Sequence, residues 1–278
     1  MPALKFSVLM SVYKNDKPEW FAQAMESIVC QTRLPDEVIL VVDGPIPSCL
    51  VKAINFFLAK HPKILRVIWL EKNCGLGISR KIGLENCSHN LVAFMDSDDI
   101  ASNNRFERQI ACFQEDGDLS LVGGLISEFI DSPENIIGIR KVPEKDFAIK
   151  EYLKSRCPFN HVTVMLKRDS ALEAGNFLDW YCNEDYYLWV RMFLKGYKFY
   201  NLQEVLVNVR VGKEMYERRG GMKYFKSEAK LQIFMWRNGI ISVARLFINV
   251  FIRLLVQVLM PNYLRGFVFR TLFRAKTA

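Results

Sequence analysis

Asp96-Ser97-Asp98-Asp99 sets three carboxylates within four positions, directly after the apolar run Leu91-Val92-Ala93-Phe94-Met95. Like charges packed this closely repel unless a cation or bulk water relieves them. Two readings stay open. One is a divalent metal site for a phosphate-bearing ligand, since Mg²⁺ and Mn²⁺ prefer hard oxygen donors; the other is a solvated acidic turn capping the next helix. A calcium loop does not fit: Glu107 falls at the twelfth place from Asp96, but Ile100 and Ala101 fill the fifth and sixth. Glu184-Asp185 is a second carboxylate pair, preceded by Asn183, a residue type suited to an N-cap. The positive end of a helix favours the ionised form that a general base needs at neutral pH. The plain alternative is an ordinary acidic first turn. Trp180, Tyr181, Tyr186 and Tyr187 flank the pair and have the shape to wall a sugar ring.

Gly75-x-Gly77 departs from the dinucleotide fingerprint, because it follows the third expected strand and Arg80 stands where the last glycine belongs. Neither a Walker lysine loop nor a Gly-x-Ser-x-Gly elbow is present. What remains is a glycine turn opening a helix, with backbone N–H groups and Arg80 available to a diphosphate, or a tight turn with a surface arginine. Asn160-His161 precedes an extended run, and a lone histidine is more often structural than catalytic.

These groups need a scaffold. Apolar runs at 6–13, 37–42, 65–70 and 91–95 read as buried strands, separated by helical patterns at 20–30, 47–60 and 78–86. Strand and helix alternating at this rhythm predict an α/β fold with a mostly parallel, Rossmann-like sheet wrapped on both faces. The acidic cluster then sits at a strand's carboxyl end, where such sheets bind ligands. Beyond residue 103 the rhythm changes. Helices are expected at 105–114, 145–154 and 183–193, and strands at 119–130, 136–142, 161–166, 197–201 and 204–211. The division predicted is a nucleotide-binding half over about 1–103, an acceptor half over about 104–211, and a C-terminal region over 212–278.

Seven cysteines scattered without Cys-x-x-Cys spacing, and three histidines, argue against a zinc site or disulfide scaffold. Residues 1–6 run directly into a strand pattern, so no signal peptide is expected. Charge is uneven. Residues 205–278 carry 14 Lys and Arg against 3 Asp and Glu, within a chain whose net charge is +8. No helix-turn-helix, zinc-finger or aromatic RNA motif supports a nucleic-acid partner. Within 240–260, Arg245, Asn249, Arg253 and Gln257 recur every four residues as one polar stripe on an apolar cylinder. A central arginine costs a spanning helix about 2.5–3.5 kcal/mol, so the expectation is an amphipathic pair of helices lying on a membrane. A helix packed on the body or on a second subunit is the alternative. Tyr263, Phe267, Phe269 and Phe273 with Arg265, Arg270 and Arg274 continue the interfacial composition.

Taken in order, Val8-Leu9-Met10-Ser11-Val12-Tyr13-Lys14-Asn15, Val41-Val42-Asp43, Asn73-x-Gly75-Leu76-Gly77-x-x-Arg80, Asp96-Ser97-Asp98-Asp99 and Asn183-Glu184-Asp185 resemble family 2 glycosyltransferases over roughly residues 5–210. The likeness is greatest to bacterial enzymes that build O-antigen or exopolysaccharide repeat units. It implies a GT-A fold, a UDP-hexose donor (glucose or galactose), Mn²⁺ or Mg²⁺, and inversion at the anomeric carbon. It also implies an undecaprenyl-diphosphate-linked saccharide acceptor, met at the cytoplasmic face of the inner membrane. By the same resemblance Ser11, Tyr13 and Asp43 would hold the uracil, and Gly77, Arg80, Asp96 and Asp98 would lie near ribose and diphosphate. Asp98 and Asp99 would be metal-side carboxylates, and Asp185 the base with Glu184 beside it. His161, Arg210, Arg218 and Arg219 would face acceptor or leaving diphosphate. Gly44-Pro45 departs from the longer serine-containing turn common in the family, which bears on the base contacts. A non-catalytic membrane-associated nucleotide-sugar binding protein shares these clusters. A nucleotidyltransferase would want a glycine-rich lysine loop where Val12-Tyr13-Lys14-Asn15 stands.

Overall fold

The computed structural model describes residues 4–212 and 220–261. Strands β1 (Phe6–Val12), β2 (Glu37–Val42), β3 (Leu65–Trp69) and β4 (Leu91–Asp96) pair in parallel in the order β3-β2-β1-β4. Helices α1 (Pro18–Val29), α2 (Ser48–Lys60) and α3 (Leu76–Asn86) connect them. The period-2 alternation of strand side chains builds two cores. Val8, Met10, Val12, Val38 and Leu40 pack under α1 and α2, while Leu9, Ile39, Val41 and Phe94 face the other layer. Helix α1 seats Phe21, Ala24, Met25 and Ile28, one helical stripe, each fully buried. Helix α3 lies close because residue 83 has no side chain: a β-carbon there would meet Leu9 Cδ1 at 2.2 Å.

The second half adds β5 (Ile100–Ala101), α4 (Arg105–Glu115), β6 (Leu119–Phe129), β7 (Ile136–Arg140), α5 (Asp146–Leu153), β8 (Met165–Lys167), α6 (Arg168–Glu173), α7 (Glu184–Leu194) and β9 (Lys198–Arg210). Sheet order is β3-β2-β1-β4-β8-β6-β9-β5, with β7 also on β6. That order forces the sheet to curl. The link from Asp96 to Ile100 spans at most about 14 Å, whereas β4 and β5, four places apart in a flat sheet, would be about 19 Å apart. The far edge therefore bends back over the carboxyl end of β4, and the right-handed twist of the strands supplies the bend.

Two elements differ from the sequence expectation. The strands expected at 197–201 and 204–211 form the single strand β9, which keeps pairing with β6 by register shifts near Gly124 and Leu125. The run 161–166 begins as a short 3₁₀ turn, His161–Thr163, before β8. Buried polar partners decide this: the Thr163 hydroxyl donates to the Asn160 carbonyl, and Gln109 Nε2 donates to the Thr163 carbonyl at 2.8 Å. Helix α8 (Gly221–Arg237) contributes Leu231 and Met235 to the core that contains Trp189. Helix α9 (Val243–Arg253) continues into a π-helical turn, Leu254–Leu259. Among the described residues no helix is long and apolar enough to cross a membrane. Arg218, Arg219 and the aromatic–arginine segment after Pro261 lie outside the described residues.

Candidate active site

Three parallel strands deliver the candidate residues to one end of the sheet. Ser11 is in register with Val41 of β2 and with Asp96 of β4, so Ser11, Asp96 and the Asp43 that follows β2 share one rim. Tyr13 is exposed beside them, at 38%. Asp43 is buried and its carboxylate closes the β3–α3 loop: Oδ1 accepts from Cys74 N at 2.6 Å, and Oδ2 accepts from Gly75 N and Asn73 Nδ2 at 3.0 Å each. Asp43 thus shapes the glycine turn.

The acidic cluster splits by side. Asp96 and Asp98 are partly exposed, whereas Ser97 and Asp99 are buried. Asp99 Oδ1 accepts from the backbone N–H of Arg210 at 2.9 Å, and burial, then Asp98 and Asp96, push its carboxyl well up. Asp99 therefore closes the turn onto β9 through Oδ1, while Asp96 and Asp98 keep partial exposure. Arg210 is similarly occupied. Nε donates to the Asp98 carbonyl at 3.2 Å, Nη1 to Asp131 O and Nη2 to Gln23 Oε1, and the guanidinium stacks over Trp20 and Phe129.

Two further groups went unread in the sequence. Asp16 accepts from Tyr13 N at 3.0 Å and from the Ser97 hydroxyl at 2.9 Å; burial pushes it up to about 6. The turn Lys14-Asn15-Asp16 was its only signal. Arg105 is fully buried beneath the cluster, donating to Phe94 O at 2.8 Å and to Gln109 Oε1 at 3.0 Å. Burial lowers it to about 9, with Asp96 and Asp99 opposing, so it stays cationic and offsets their charge from inside. Its residue type assigns such an arginine to solvent, although its helical phase sets it beside Gln109, Cys112 and Phe113 on the buried side.

Arg80 joins the two acidic clusters. Its guanidinium, 7% exposed, donates to Glu184 Oε1 at 2.7 Å and to Asp96 Oδ1 at 3.1 Å. Gly77 permits the approach: a β-carbon there would lie 2.9 Å from Leu178 O and 3.3 Å from Glu184 Cβ. Burial pushes Glu184 up to about 7, Arg80 opposing and Asp185 adding. Asn183 holds the N-cap place without a side-chain cap; its Nδ2 donates instead to Ser227 Oγ at 3.1 Å. Asp185 is the more open of the acidic pair, its side chain 20% exposed against 9% for Glu184.

His161 sits beneath Asp185 rather than out in the cleft. Its Nδ1 lies 3.9 Å from Asp185 Oδ2, its ring packs 4.9 Å from Phe94 and stacks on Trp189, and both ring nitrogens are buried without a hydrogen bond. Burial, then Arg80 and Arg105, hold it well below its ordinary value of 6.5. The sign is definite: below pH 6.5 the unfolded chain takes up a proton here that the folded chain refuses, so folding stability falls with pH. Urea melts at pH 5 and 7.5 should show His161→Gln losing less stability on acidification than wild type, by up to about 1.4 kcal/mol per pH unit.

A model of the family described as glycosyl transferase family 2 matches residues 7–175. The chain is also 38% identical over 270 residues to an Escherichia coli "UDP-Gal:alpha-D-GlcNAc-diphosphoundecaprenol beta-1,3-galactosyltransferase", covering 97% of each protein. This chain belongs to glycosyl transferase family 2. A further relative is the amylovoran biosynthesis glycosyltransferase AmsE of Erwinia amylovora, 37% identical over 81% of this chain and 84% of its own. Among solved structures, the Pyrobaculum calidifontis mannosyltransferase PcManGT in complex with GDP-Man and Mn²⁺ superposes with TM-score 0.66 at 14% identity, over 94% of this chain and 71% of that one. S. aureus TarS 1-349 in complex with UDP-GlcNAc gives 0.64 at 16% identity, over 96% and 75%. At those identities the likeness speaks for the fold, the GT-A arrangement of a curled α/β sheet.

Proposed function

We propose that this family 2 glycosyltransferase moves galactose from UDP-galactose, with inversion, onto a lipid-diphosphate-linked saccharide that starts with N-acetylglucosamine, in surface-polysaccharide synthesis. The observation that carries this reading is Arg80, whose one guanidinium reaches both acidic clusters and so puts them in one cleft. An inverting displacement needs charge stabilisation behind the leaving diphosphate and a base facing the acceptor hydroxyl. The Escherichia coli relative bears the donor, the acceptor and the β product in its name, and matches end to end.

The donor set fits a divalent cation that arrives with the nucleotide. Among the described residues no three His, Cys, Asp or Glu side chains cluster into a metal site of their own. Sites for Mg²⁺ and its like in phosphate chemistry use one or two carboxylates and complete the shell with phosphate oxygens and water. Asp98 and Asp99 would be those carboxylates, with Asp96 beside them on the same rim. When bound, the ion neutralises charge developing on the diphosphate. The chain does the rest. Arg80 orients Asp96 on one side and Glu184 on the other, leaving Asp185 to take the acceptor proton. Ser11 and Tyr13 line the rim for the uridine, and Asp43 keeps the glycine turn in place. We assign nucleotide binding to about 1–103, the acceptor to about 104–211, and membrane contact to the region beyond.

The test is a donor screen. Purified protein with a GlcNAc-diphosphate-lipid mimic, Mn²⁺ and each UDP-hexose is read by mass spectrometry. The expected product gains one hexose from UDP-galactose, in β linkage, and none forms after chelation with EDTA. A protein that binds UDP yet transfers no hexose from any donor would be a nucleotide-sugar binding protein instead.

A further inference from the structure

Helix α9 is built with its polarity reversed. A helix on a globular surface buries its apolar stripe and shows its polar one. Here the stripe Asn249, Arg253 and Gln257 faces the body, each 9% exposed or less. Asn249 Nδ2 donates to Gln232 Oε1 at 2.7 Å and to Lys154 O at 2.9 Å. Arg253 forms a buried ion pair with Glu228 and donates to Ser155 O at 2.7 Å. On the outer side Phe247, Ile248, Phe251 and Ile252 are 69%, 58%, 60% and 51% exposed, and Leu259 beyond them 64%. Turning the helix to hide these residues would strip Glu228 of its buried partner, so the apolar face is fixed outward.

The neighbouring surface is cationic. On α8, Lys223, Lys226, Lys230 and Arg237 are exposed. Ile233 and Trp236, also exposed, stand between this basic face and the face that receives α9. The described residues 220–261 contain a single carboxylate, Glu228, and Arg253 neutralises it. An apolar ridge bordered by cations, with no exposed acid within residues 220–261, complements an anionic interface. A second copy in two-fold contact would bring like-charged borders together.

We propose that α9 and the adjoining edge of α8 dock in the plane of an anionic lipid bilayer, with Phe247, Ile248, Phe251 and Ile252 inserted among the acyl chains. Helix α8 also holds the approach to the candidate base. Ser227 Oγ donates to Tyr181 O at 2.6 Å and accepts from Asn183, while Trp180 Nε1 donates to Ser227 O. One helix thus carries an edge of the docking surface on one side and holds the aromatic wall beside the candidate base on another. The inference rests on the proposed function for its purpose, since it names the surface where a lipid-linked acceptor is met.

Vesicle flotation with the full chain tests it, using phosphatidylglycerol or phosphatidylcholine vesicles and the double variant Phe247→Asp/Phe251→Asp. The expected result is binding to phosphatidylglycerol, weaker binding to phosphatidylcholine, and an affinity loss of about 100-fold or more in the variant. The variant should keep wild-type turnover on a short, water-soluble acceptor and lose it on an acceptor embedded in vesicles. No flotation with either lipid overturns the proposal, whether the chain is then a dimer that the variant splits or a monomer that covers the face with its own residues. Flotation equal for wild type and variant also overturns it. Turnover of the soluble acceptor without flotation would sink the docking surface alone. Flotation that needs the two phenylalanines, without turnover of any acceptor, would sink the proposed function alone.

Discussion

Asp185→Asn should lower kcat for galactosyl transfer by about 10²–10⁴-fold while leaving UDP binding intact. The substitution is nearly isosteric and keeps an oxygen where Asp185 Oδ1 accepts from Tyr186 N, so α7 should still start correctly. What it removes is the ability to accept a proton. Glu184 cannot substitute, because its carboxylate is spent on Arg80 and buried beneath Gly77. Steady-state kinetics with the soluble acceptor, beside a UDP titration by calorimetry, separate the two effects. A variant within tenfold of wild type in kcat would remove Asp185 from the chemistry.

The largest effect on stability is expected at Arg80→Met. Methionine matches the stem of arginine but leaves Glu184 in a buried site with no cation and Asp96 without its partner. Breaking a buried pair from one side costs about 3–5 kcal/mol; the partial exposure of Asp96 places this one near the lower end. For a domain of this size that is a fall in Tm of about 6–12 °C. The loss should depend on pH in a set direction. Glu184 has a raised value of about 7, so below its unfolded value of 4.5 it is neutral in both states and the missing cation matters little. As pH rises through 7 the carboxyl must ionise unpaired, and the penalty grows. Thermal melts at pH 5 and pH 8 should show the smaller deficit at pH 5; an equal deficit at both would mean Arg80 acts through packing.

Period and composition carried the first four strands, because β1, β2 and β4 are buried on both faces and their side chains are nearly all apolar. They also located both acidic clusters. What they could not assign is how each carboxylate of a cluster is tied. Asp98 and Asp99 differ by one position, and Asp99 is the one that accepts the backbone N–H of Arg210, donated from a distant strand. The same limit hid Arg105 and the surroundings of His161. Each is a polar residue whose surroundings are set by chain segments far away in sequence, Phe94 and Trp189 among them. For the polar stripe on α9 the periodicity was visible but its direction was not, since a stripe does not say which side holds the body.

The placement of β9 has a consequence for how the protein is made. The turn bearing Asp98 and Asp99 is closed by a residue 111 positions later, and β5 pairs with β9 alone. A ribosome adding roughly 5–20 residues per second needs about 5–20 s to deliver that strand. During this interval the acidic rim lacks the contact that closes it. A chain ending before β9 would hold every carboxylate of the rim and still leave the Asp98–Asp99 turn unlocked.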